Sequence, residues 1–253
     1  MHILAAGDSF TALGASSKPI LKEPQEHVKA AWPNYIVDKH KVSMCAEMAA
    51  GNELISRNVV DHIYRFPPDA VIIGWSDPNR FETFIDSKDD PTMYDWCCEN
   101  LPKTGQSFTN YIENGFPFPG KEVSWLKSGG GYGLWKYGQD QLDWKTRVFL
   151  KNFHNEELQY LKTIESILRV QWLCETKEIP LFNFKAWDHS LFNITYETSK
   201  LLESQINPFT WYSSTLLDFC KEKGFETPRP EHPPKKYQKL FAKEVIIPWI
   251  DKL

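Results

Sequence analysis

The chain lacks several features that would place a protein at a glance. It has no apolar run near the roughly 20 residues a membrane-spanning helix needs, so no membrane partner is expected. Met1-His2 leads straight into an apolar segment, with neither the basic start nor the long apolar stretch of a secretory leader. The five cysteines, Cys45, Cys97, Cys98, Cys174 and Cys220, are odd in number and without metal-ligand spacing. That argues against a disulfide framework or a zinc site, and cytoplasmic synthesis is the simplest reading. Virion association or release by lysis stays compatible with it. There is no long basic run and the net charge is −4, so binding of nucleic acid through phosphate contacts is disfavoured. The glycine cluster Gly129-Gly130-Gly131-Tyr132-Gly133 is not followed by Gly-Lys-Ser or Gly-Lys-Thr, which excludes a phosphate loop. No internal repeat is visible.

What the chain does have is aromatic surface. Aromatics make up 14% of the residues and include ten Trp. Such side chains fill cores well and also line sugar- or protein-binding surfaces. The remaining composition, 42% hydrophobic and 25% charged over 253 residues, fits a soluble α/β protein read as one domain over 1–253.

Apolar patterning divides the chain into alternating strands and helices. His2 to Ala6 is a short strand, and residues 10–29, with Pro19 and Pro24, read as an irregular excursion. A helix is expected after Trp32-Pro33, since proline suits a first turn. Lys41 to Ala46 is a second strand, and Ala50-Gly51-Asn52 a turn. From Glu53 to Phe66, Leu54, Ile55, Val59, Ile63 and Phe66 recur at helical spacing until Pro67-Pro68. Asp69 to Trp75 carries the near-continuous apolar run of a buried parallel strand. Residues 81–150 break the pattern and read as an aromatic-rich insertion or lid. A long helix over Asn155 to Lys177 is expected to bury Leu158, Leu161, Ile164, Ile167, Leu168 and Trp172. A fourth strand, Ile179 to Phe184, a helix over Thr210 to Lys223 and a last helix over Lys235 to Lys252 complete the chain. This alternation predicts a parallel sheet covered on both faces, a three-layer α/β/α sandwich of flavodoxin-like type. Right-handed crossovers gather the carboxyl ends of the strands at one edge, where open α/β sheets bind ligands.

Chemistry-bearing residues follow those strand ends. Gly7-Asp8-Ser9 follows the first, Gly51 and Asn52 the second, Trp75-Ser76-Asp77 the third and Asp188 the fourth, while Glu231-His232 precedes the last helix. Ser9 is the candidate nucleophile, although a serine there also suits a helix cap. Gly7-Asp8-Ser9, the glycine after the second strand, Gly74-Trp75-Ser76-Asp77 and the late His232-Pro233 together resemble the four blocks of SGNH (GDSL-type) hydrolases. The resemblance spans the chain apart from 81–150. Asn52 with Arg57, and the stretch from Trp75 to Arg80, resemble SGNH-like proteins of phage genomes.

The resemblance implies the SGNH hydrolase fold and a serine esterase acting on acyl esters without a cofactor. Ser9 would attack the carbonyl, and His232 would act as general base and then acid. Ser9, Gly51 and Ser76 would hold the oxyanion, with Asp8, Asn52, Trp75 and Asp77 lining the substrate. A glycan or small-molecule ester is the implied partner, with acetyl groups on a carbohydrate motivated by the aromatic insertion. Two positions depart from the family pattern. Ser76 stands where the family has an Asn that donates an amide N–H, and Arg229 stands where an Asp normally precedes the histidine. Glu231, Asp188 or no acid at all would then orient His232. The competing expectation is a weakened SGNH-like protein that binds or builds, as a virion component would. A metal-dependent phosphoesterase built on Asp8, Gly51-Asn52-Glu53 and the scattered histidines is disfavoured, because the His-rich ligand spacing of a two-metal site is missing.

Overall fold

A computed structural model describes residues 1–12, 31–46, 50–78, 80–86, 107–110, 123–128, 155–186, 196–226 and 233–253. Strand β1 (His2–Gly7) pairs in parallel with β2 (Lys41–Ala46) on one side and β3 (Ala70–Trp75) on the other. Three further strands, β4 (Phe81–Asp86), β5 (Ser107–Asn110) and β6 (Val123–Ser128), form a separate antiparallel sheet in the order β4-β6-β5. Strands β7 (Leu181–Lys185) and β8 (Trp211–Thr215) extend the parallel sheet to the order β2-β1-β3-β7-β8. The order reverses beside β1, the flavodoxin-like pattern whose ligands bind at the carboxyl ends next to the reversal.

Strand side chains alternate between two faces, and each face has its own cover. Leu4, Ala6, Val71, Ile73 and Leu181 meet helices α2 (Asn52–Arg65) and α3 (Glu156–Thr176) through Leu54, Ile55, Val59, Ile63, Ile167, Val170 and Cys174. Ile3, Ala5, Ile72, Phe182 and Phe184 face the opposite way. They pack on Phe10 of the single turn α1 (Ser9–Ala12) and on Trp32, with Phe219 of α5 (Leu216–Glu222) and Phe241 of α6 (Lys235–Phe241). Each fully buried side chain of this size contributes about 1.5–3 kcal/mol, so a sheet covered on both faces is the arrangement that buries both sets. The result is a three-layer α/β/α sandwich. The helix α4 (Glu197–Glu203) lies between β7 and β8 in sequence.

Four local expectations are corrected. After Trp32-Pro33 there is a 3-10 turn, Trp32–Tyr35, and then a further turn, because β2 starts at Lys41 and leaves no length for a helix. The stretch expected as one helix over 210–223 instead holds β8 and then α5. Thr215 divides them, its Oγ1 accepting the Asp218 N–H at 2.9 Å. In α3, Leu158 and Trp172 are exposed, while Gln159, Thr163, Ser166 and Gln171 are buried. Polar bonds set that rotation: Thr163 meets Asn52, and Gln171 donates to the Gln205 carbonyl and accepts from the Asn207 N–H. The last helix is interrupted by a π turn at Ala242–Ile246 before α7 (Ile247–Ile250). Pro248 has no N–H and its ring crowds the carbonyl four residues earlier, so widening the preceding turn relieves both problems.

Among the described residues no helix is long and apolar enough to cross a membrane.

Candidate active site

Two glycines set how closely the turn that carries Ser9 approaches the sheet. Gly7 and Gly74 are register partners at the ends of β1 and β3. A Cβ on Gly7, whose φ is +150°, would come within 2.6 Å of Thr11 Oγ1 and 2.7 Å of the Gly74 carbonyl. A Cβ on Gly74 would come within 2.7 Å of the Phe184 ring and 3.0 Å of Thr11 Oγ1. Bare backbone at both positions lets α1, which begins with Ser9, lie directly on the strand ends. Ser9 is buried, with 4% exposure, and directly follows Asp8.

The three early blocks are joined by direct hydrogen bonds. Asp8 is fully buried. Its Oδ1 accepts the Phe10 N–H at 3.0 Å, the bond that turns the chain from strand into α1. Its Oδ2 accepts the Ser76 hydroxyl at 3.0 Å and Arg80 Nη1 at 2.7 Å. Arg80 Nη1 also donates to Ser76 Oγ at 2.9 Å. The guanidinium is itself mostly buried, at 12% side-chain exposure, and charge-assisted bonds of this length are among the strong ones. Asn52, at the start of α2, clasps the backbone of Ser76: its Oδ1 accepts the Ser76 N–H at 2.8 Å and its Nδ2 donates to the Ser76 carbonyl at 3.0 Å. The same Nδ2 donates to Thr163 Oγ1 at 3.0 Å, bringing α3 into the group. Gly51 is the residue before α2, extended and buried, and its lack of a side chain leaves the helix start uncapped by one.

Several sequence-based assignments change in this light. Ser76 was expected to offer a hydroxyl to the oxyanion, but a hydroxyl has a single proton and this one is directed to Asp8 Oδ2. Asp8 and Asn52 were expected to line the substrate; both are buried and hold the framework instead. Trp75 was expected there too. It is 1% exposed, packs in the α2–α3 core, and donates its indole N–H to Asn183 Oδ1 at 2.9 Å. Asp77 is half-buried in the turn after β3, where its carbonyl accepts the Arg80 N–H at 3.0 Å. His232, Glu231, Asp188 and Arg229 lie outside the described residues, as does most of the expected insertion or lid at 81–150.

The described chain from Pro233 onward is tied to the backbone beside Ser9. Pro233 is buried and Pro234 precedes α6. One turn into α6, the fully buried Gln238 donates through Nε2 to the Phe10 carbonyl at 3.4 Å and accepts the Trp32 N–H on Oε1 at 3.2 Å. Phe10 directly follows Ser9, so α6 is tied to the turn that carries Ser9. Sequence reading missed Arg80, Thr163 and Gln238. Only Arg80 had a visible signal, as the end of the Trp75-to-Arg80 stretch.

Among the described residues, no group of three or more His, Cys, Asp or Glu side chains is arranged to hold a metal ion. No family model matches the chain. No curated protein matches it either. Among solved structures, it is similar to the psychrotrophic esterase EstA of Pseudoalteromonas sp., in a structure inhibited by monoethylphosphonate. The identity is 13% and the TM-score 0.45, over 99% of this chain and 98% of that one. It is similar also to a putative lipolytic protein of the G-D-S-L family from Desulfitobacterium hafniense DCB-2, at 10% identity and TM-score 0.45, over 96% of this chain and 95% of that one.

Proposed function

We propose that the protein is a serine ester hydrolase with Ser9 as nucleophile and His232 as general base. The observation that carries the reading is the set of direct bonds from Asp8 to Ser76 and from Ser76 to Asn52. They join the three strand-end blocks to one another, and Ser9 directly follows Asp8 in that group; open α/β sheets bind ligands at the carboxyl ends of their strands. Ser9 Oγ attacks the acyl carbonyl while His232 takes its proton and then passes it to the leaving alcohol. The backbone N–H groups of Ser9 and Gly51 receive the oxyanion. Water, activated by the same histidine, releases the acid. Orientation of His232 falls to Asp188 or Glu231, or the pair works as a dyad. Acetyl esters of a carbohydrate are the substrate we favour, on the strength of the aromatic-rich 81–150 segment, since ring faces stack on sugars.

A second reading has its own support. Ser76 in place of an amide and Arg229 in place of an acid both weaken the catalytic group, as expected of an SGNH-like binding or structural component such as a virion protein. One experiment separates the two: hydrolysis of short-chain p-nitrophenyl esters by the wild type, Ser9→Ala and His232→Ala, with fluorophosphonate labelling of Ser9. The hydrolase reading expects turnover and labelling in the wild type and loss of turnover in both folded variants. A wild type that neither turns over nor labels sinks it and leaves the binding role.

A further inference from the structure

We propose that Arg80 is the cationic stabiliser of the oxyanion in this site, supplying what Ser76 does not; the inference rests on the ester-hydrolase reading above. Negative charge develops at a carbonyl oxygen beside Ser9 during acyl transfer. The residue next to Ser9 is Asp8, whose carboxylate is fully buried, and a second negative charge close to it is disfavoured in a low-dielectric site. The Ser76 hydroxyl gives no relief, because its proton goes to that same carboxylate. Among the described residues, Arg80 is a positive group held at this point. Its Nη1 lies 2.7 Å from Asp8 Oδ2 and 2.9 Å from Ser76 Oγ, in the space between the first and third blocks. The turn that carries it is closed by the Arg80 N–H on the Asp77 carbonyl, so the cation is fixed before substrate arrives. A preorganised charge of this kind acts on the transition state more than on the neutral ester.

The test is steady-state hydrolysis of p-nitrophenyl acetate, with the rate of fluorophosphonate labelling of Ser9 as a second reading of oxyanion formation. Arg80→Gln is expected to lower kcat about 100-fold with KM changed by less than about threefold. Arg80→Lys keeps the charge without the planar fork and is expected to fall between. Ser76→Asn combined with Arg80→Gln returns an amide donor beside Asp8 and is expected to regain at least about tenfold over Arg80→Gln. Arg80→Gln alone strands a buried carboxylate and could unfold, so Asp8→Asn with Arg80→Gln, which leaves no unpaired charge, is measured beside it. That double variant is expected to fold and stay slow. Wild-type kcat in it would show that Arg80 only balances Asp8, and would overturn the proposal. So would an Arg80→Gln enzyme within threefold of an active wild type, which leaves the hydrolase reading intact. A wild type with neither turnover nor labelling overturns both.

Discussion

At the scale of the residue, close approach is the governing fact. Gly74→Ala puts a methyl 2.7 Å from the Phe184 ring, and overpacking of this kind costs about 1–3 kcal/mol. Gly7→Ala is expected to cost more, because its near neighbour is the Gly74 carbonyl, which cannot rotate away, and its φ of +150° disfavours any side chain. Urea denaturation of the two variants checks both the sign and the order. Asn52→Ala strips partners from the Ser76 N–H and carbonyl and from Thr163. A loss of about 1–3 kcal/mol in the same measurement is expected for leaving such buried groups unsatisfied. Activity should fall further than folded content, since the third block is released from the second. The chain order alone made Gly7, Asp8 and Ser9 legible, because a strand ending in a glycine turn is a local pattern. The partners of Asp8 were not legible: Arg80 reaches it across 72 positions. Trp75 closes β3 on the same face as Val71 and Ile73, so strand alternation carried the signal for its burial.

At the scale of the element, caps and polar partners decided where reading by apolar spacing failed. The stripe rule found α2 with nearly its true limits, since Gly51 and Pro67 bracket a clean repeat. It ran β8 and α5 together, because Leu216, Leu217 and Phe219 continue an apolar series begun by Trp211 and Tyr212. Thr215 was the available signal. Its hydroxyl accepts the Asp218 N–H at 2.9 Å and donates to the Asp218 carboxylate at 2.8 Å, a reciprocal cap. Thr215→Ala is expected to lower stability by about 1 kcal/mol and Thr215→Ser by much less, measured as the shift in the denaturation midpoint. In α3 the polar residues on the buried side reversed part of the expected stripe, and only their tertiary partners explain why.

At the scale of the whole molecule, alternation of strands and helices was enough to foresee a parallel sheet with two covered faces, whereas the antiparallel sheet of β4, β5 and β6 was not foreseen. One pH response belongs to this scale, since it joins the first strand to a helix on its flank. The His62 imidazole is held below its ordinary value of 6.5, first by burial and then by the charges of His2 and Lys41, with Asp61 opposing. The unfolded chain therefore binds that proton more readily than the folded one. The stability it contributes is present above about 6.5 and is lost as pH falls toward the folded value. The unfolding midpoint is expected to drop between pH 7.5 and pH 5, and His62→Gln to flatten that slope. Finally, Gln238 and Phe10 stand 228 positions apart yet share a hydrogen bond. On a ribosome the Gly-Asp-Ser turn emerges long before Gln238, and its neighbour Phe10 waits through 228 further positions for that contact. Chains that stop short of Gln238 carry the Gly-Asp-Ser turn without the helix that braces it, so the brace is a late event of synthesis relative to the turn it holds.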